Sequence, residues 1–209
     1  MSQLESYPTL SWNRNSDRGK ALVIASFLAS ALLAAGALIL TSGDGAQAAR
    51  ELVTRFSSLL FVCSLLAPPL ALLVRARPLS ALALMSGNLR LSFVATFVFS
   101  LACTLMPAAV GGETLSLSAV LYVGLNGLML LVMLFPANRV ATRRMGAASW
   151  RAIQHLATAY FWLAFLVSSL VHVARQDDSL VWYAFMLTLL VAALGAIVAA
   201  KFSREAVEG

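Results

Sequence analysis

Polar residues in this chain are sparse and clustered, and the apolar stretches between them recur at nearly constant length. Six runs stand out, at 21–40, 52–74, 91–110, 115–135, 150–173 and 180–200. Each is about 20 residues or longer, enough to cross about 30 Å of hydrocarbon as an α-helix rising 1.5 Å per residue. Strands of a membrane β-barrel would run to about 10 residues and alternate in polarity. These runs do not alternate. The pattern predicts an all-α polytopic membrane bundle of six transmembrane helices over 20–200, between a polar N-terminal tail at 1–19 and a short C-terminal tail at 201–209.

Composition agrees. The chain is 60% hydrophobic and 11% charged, where a soluble domain carries about 25% charged residues. Of its 15 basic residues, 12 fall on one side of the predicted topology: Arg14, Arg18, Lys20, Arg75, Arg77, Arg90, Arg139, Arg143, Arg144, Arg151, Lys201 and Arg204. Short loops rich in arginine and lysine stay cytoplasmic, so both termini are expected inside, with the spans in a bacterial inner membrane. The net charge of +6 is then a topology signal, and no nucleic-acid partner is needed to explain it. The first run resembles a signal peptide loosely, but signal cores span about 7–15 residues. It is expected to remain as a span.

Several functions are narrowed by what the pattern lacks. There is no GxGxxG and no GxxxxGK, so any flavin or nicotinamide would be carried by a separate partner. No acidic or basic residue is expected deep in a span, which argues against proton relays and pumps, and no internal repeat points to a transporter. Pro68 and Pro69 deprive two carbonyls in the second run of helical donors and predict a kink or break. Asn126, between Gly124 and Gly127, is expected to bond a neighbouring helix at a close approach. Cys63 and Cys103 read as small apolar fillers.

The two histidines, His155 and His172, lie on the fifth run. Their 17-residue separation corresponds to ~25 Å along the axis and about 100° around it, so they cannot share one ion. Neither has a histidine or carboxylate one turn away, which excludes a zinc site built on that helix. A haem with axial ligands from two helices remains open. His172, beside Arg175, reads as an interfacial residue.

The segment "WRAIQHLATAYFWLAF" at 150–165 resembles the "WrxLHrxxxYxxWxxF" segment of the ferric-reductase-like transmembrane domain, through Trp150, Arg151, His155, Tyr160, Trp162 and Phe165. Upstream, "TRFSSLLFVCSLLAPPLALL" and "GNLRLSFVATFVFSL" are similar to the family's second and third spans. The resemblance implies haem b between the third and fifth helices, transmembrane electron transfer, and a separate soluble redox partner. It implies His155 as iron ligand, with Trp150, Arg151 and Tyr160 around the porphyrin or its propionates. The third span departs from the family: the positions expected to hold histidine are taken by residues such as Phe97 and Ser100. Three readings follow. Met106 or Met85 supplies the opposing ligand, two copies of the chain share the haem as a homo-oligomer, or the chain is a haem-less scaffold or accessory subunit.

Overall fold

The structure, a computed structural model, describes residues 17–40, 45–74, 76–111, 116–135, 139–176 and 179–208. Eight helices account for almost all of them: α1 (Asp17–Leu40), α2 (Gly45–Val74), α3 (Arg77–Leu84), α4 (Ser86–Gly111), α5 (Leu117–Leu134), α6 (Arg139–Met145), α7 (Ala147–Arg175) and α8 (Leu180–Glu208). No strand occurs among the described residues. Six helices, α1, α2, α4, α5, α7 and α8, are long and apolar enough to cross a membrane. The chain is a multi-pass integral membrane protein. Its outer surface is apolar, as lipid contact requires: Leu32, Ile39 and Val181 are 73%, 81% and 82% exposed.

The two short helices, α3 and α6, connect spans at the arginine-rich end. Gly146 separates α6 from α7 with φ of +82°, a conformation that a β-carbon strains, so the chain turns there at little cost. At the other end of α7, Gln176 takes the left-handed conformation and returns its N–H to the carbonyls of His172 and Val173. That closure satisfies carbonyls which a helix end otherwise leaves open. α2 continues through Pro68 and Pro69 without a break.

Small and hydroxyl-bearing residues set the closest packing. Ser26, Ser30, Ala34 and Ala37 form one buried edge of α1, and Ser92, Thr96 and Ser100 form one on α4. Between them, α2 buries Ala49, Val53 and Ser57. Lipid tails are as apolar as leucine side chains, so helices associate in membranes where small residues allow close approach and polar ones bond. The Thr54 and Ser100 hydroxyls meet at 2.6 Å across the α2–α4 contact. Asn126 differs from expectation. It is buried, but its amide donates to the Tyr122 carbonyl one turn back on its own helix, and Gly124 and Gly127 have no neighbour within reach of an added β-carbon.

The remaining contacts close a ring. α2 packs on α4, α4 on α5, α5 on α7, α7 on α8, and α8 back on α2, while α1 lies outside against α2 and α4. The interior of this ring is filled at mid-depth by Phe61, Phe93, Phe97, Phe161 and Phe165, with Leu130, Met133, Met186 and Leu190. The phenyl rings pack at 4.9–6.3 Å, mostly tilted or edge-on, the arrangement their quadrupoles favour. Between this plug and the end of the bundle where α2, α5 and α8 begin, the ring encloses a cavity.

Candidate functional site

Three helices build the cavity, each with polar residues at helical spacing. α2 contributes Gln47, Arg50, Glu51, Thr54, Arg55 and Ser58, at steps of three and four residues, which fall on one helix face. α7 contributes Phe165, Ser168, Ser169, His172 and Gln176, and α8 with its leading residue contributes Ser179, Trp182, Tyr183 and Met186. Thr104 of α4 and Ser118, Ala119 and Tyr122 of α5 complete the wall. The volume is about 1130 Å³, slightly above the ~300–1,000 Å³ typical of ligand pockets. From Gln47 to Ser58 it follows α2 for ~16 Å, about half the depth of a bilayer core. Phe165 belongs both to the cavity wall and to the phenyl plug beneath it.

Arg55 organises the α2–α8 side. Its guanidinium bonds Glu51 one turn earlier and the Ser179 hydroxyl at the start of α8. Ser179 in turn donates to Glu51 at 3.3 Å. The Arg55 cation also lies 5.9 Å from the Trp182 ring centre and 5.8 Å from that of Tyr183, within cation–π range. Its Nε is buried with no hydrogen-bond acceptor among the described residues. Opposite, His172 stacks on Tyr183 at 4.0 Å with 19° between planes, and its Nδ1 is held at 2.7 Å from the Ser168 carbonyl. Arg50 is close enough to Tyr122 for the two side chains to interact electrostatically. Among the described residues it has no carboxylate partner.

The expected haem ligands are arranged differently. His155 is on the exposed face of α7 and makes no hydrogen bond or ring contact among the described residues. Two residues along, Ala157 is fully buried, and two residues turn a helix by about 200°. Trp150 is buried, Arg151 is exposed with its Nε on the Ala147 carbonyl of its own helix, and Tyr160 packs edge-on against Phe161. Met106 belongs to α4, and its side chain lies outside the described residues. Because α4 and α7 rise from the same end and Phe97 meets Phe161 and Phe165, Met106 and His155 are separated by about 25 Å along the bundle. Met85, by contrast, is the C-cap of α3 at the His155 end.

The space between α4 and α7 at the family's ligand level is packed with phenyl rings, and Phe97 is one of them. Ser100, the other substituted position, is bonded to Thr54. A porphyrin in that position within one chain would have to displace the core. The residues present do not fit it there.

The sequence reading passed over the cavity residues. α2 begins at Gly45, seven residues before the expected span, so Arg50 and Glu51 are helical and Arg55 stands well inside the bundle. Arg50, Glu51 and Arg55 are therefore part of the apolar helix Gln47–Val74, within its first third. His172, expected at the interface, is half-buried in the cavity wall. The signal that could have found the site is the spacing 47, 50, 51, 54, 55, 58, a polar stripe on a helix otherwise apolar. No group of three or more histidine, cysteine, aspartate or glutamate side chains suited to a metal occurs among the described residues. The chain matches no family model, no curated protein and no solved structure.

Proposed function

We propose that this protein is a ligand-capturing membrane subunit: it admits a small polar molecule or headgroup from the non-cytoplasmic side and does not conduct it across the bilayer. One observation carries the reading. Polar stripes of α2, α7 and α8 converge on one cavity whose deep end reaches Phe165, the edge of the five-ring phenyl plug at mid-depth. Polar and charged groups inside a membrane are costly and face cavities where they act, and an apolar constriction opposes the passage of polar solutes. The basic residues cluster at the opposite end, which supports an outward-facing cavity. This matches the haem-less accessory class.

Thiol labelling tests the proposal. With Cys63 and Cys103 replaced by serine, Ser168→Cys should react with a membrane-impermeant maleimide added outside intact cells. It should stay unreactive in inverted vesicles. Reaction from both sides would overturn the closed plug and point to a conducting pathway, and reaction from the inner side alone would reverse the orientation.

The resemblance to ferric reductases supports a second reading through one feature, an imidazole at His155 on the exposed surface of a membrane helix. A haem b there takes its opposing ligand from a second copy of the chain or from another subunit. The protein is then the membrane part of an electron-transfer system with a separate soluble redox partner.

A further inference from the structure

We infer that the cavity binds an amphipathic anion, with its anionic oxygens at Arg50 and a flat apolar body against Phe165, Trp182 and Met186. The inference rests on the proposed reading of the cavity as a binding site.

Charge decides the sign of the ligand. The described lining holds two arginines and one carboxylate, and Arg55 is already paired with Glu51. Arg50 remains as a cation without a counter-ion among the described residues. Arg50 is exposed on the cavity wall, where its guanidinium can grip an anion with two parallel N–H groups. A cation would meet Arg50 and Arg55 together, and a neutral solute would gain no charge-assisted bond from Arg50. The hydroxyl of Ser118 on the facing helix supplies a further donor to anionic oxygens.

Shape decides the rest of the ligand. Below the level of Arg50 the α7–α8 side of the wall carries Trp182, Met186 and Phe165, facing Thr54 and Ser58 of α2, and the floor is the edge of the phenyl plug. Such a surface takes a ring or an acyl segment in preference to a second polar group. Two sources supply this chemistry: a free organic acid from the aqueous side, or the phosphate of an acidic lipid.

The test uses Ser168→Cys in the Cys63→Ser, Cys103→Ser background, as full-length protein in phosphatidylcholine nanodiscs, with and without phosphatidylglycerol. Maleimide labelling is timed against benzoate, inorganic phosphate, benzamide and benzylamine. Benzoate should protect the thiol and benzamide should not. Arg50→Gln should raise the half-protective benzoate concentration about tenfold, the scale of one lost charge-assisted hydrogen bond. Arg143→Gln, at the other end of the bundle, should not change it.

Protection by benzoate in pure phosphatidylcholine identifies the free acid. Protection that appears only with phosphatidylglycerol, and is lost in Arg50→Gln, identifies the lipid headgroup. Both support the anion. Equal protection by benzamide or benzylamine, or benzoate protection unchanged in Arg50→Gln, would overturn the anion and leave the cavity as a site for another class. Failure of every anion in both lipid mixtures would overturn the inference. One-sided labelling of the same thiol without ligand would still support the binding-cavity reading, so the two failures are distinguishable.

Discussion

At the scale of single residues, the two histidines have exchanged the weight their neighbourhoods suggested. His155 carries the motif match yet stands on the exposed surface, while His172, outside the motif, is built into a stacked and hydrogen-bonded wall. The haem reading therefore has a sharp test at His155. If an iron is held there, protein purified from haem-replete cells should show a reduced-minus-oxidised haem b spectrum. His155→Ala should abolish it, and His172→Ala, ~25 Å away along the helix, should leave it intact. Absence of the signal from the unaltered protein would remove the electron-transfer reading. Loss on His172→Ala would move the cofactor to the cavity.

Elements are held by two kinds of contact, and they differ in what they tolerate. The α1–α2–α4 seam is made of serine, threonine, alanine and valine, so its backbones lie close and there is little room for added atoms. Thr96 is fully buried there, and its hydroxyl returns to the Phe93 carbonyl of its own helix. Thr96→Leu should overpack the seam and destabilise the protein by about 1–3 kcal/mol. Leu32→Ala, on a lipid-facing position, should cost far less. Thermal unfolding in mild detergent, followed by size-exclusion recovery, compares the two. Equal losses would mean that α1 does not pack as described. Across the ring, α7 is joined to its neighbours by longer-range bonds from large side chains, Trp162 to the Leu190 carbonyl at 3.2 Å and Gln154 to the Phe135 carbonyl at 3.4 Å. These leave space between backbones, and the cavity occupies it.

For the whole molecule, orientation links the cavity to its surroundings. The outward-facing cavity proposed above takes both termini as cytoplasmic, the orientation expected from the arginine and lysine distribution. Reporter fusions at Gly45, Gly112 and Asp178 should report outside, and fusions at Ser80 and Met145 inside. A reversed pattern at two or more sites would turn the cavity toward the cytoplasm, and its ligand would then come from the cell interior. The depth of the cavity would be unchanged. The plug, formed by residues of five helices, divides the bundle whichever way it faces.

The amino-acid sequence by itself determined the membrane class, the number of spans and their approximate limits, because length and polarity are local properties that a bilayer reads one helix at a time. Helix ends were less accessible. Arg50 and Glu51 look like loop residues until the interior cavity gives their side chains somewhere polar to face. Only the tertiary structure decided which faces meet. Phe61, Phe93, Phe97, Phe161 and Phe165 are unremarkable aromatics on three separate spans, and they become a plug only when α2, α4 and α7 converge. The stripes on α2, α7 and α8 were visible as spacing, but their union was not. Whether several polar helix faces point at one lumen or at separate neighbours depends on helix rotation and order around the ring. Those are set by side-chain packing between segments distant in the chain, which no single segment encodes.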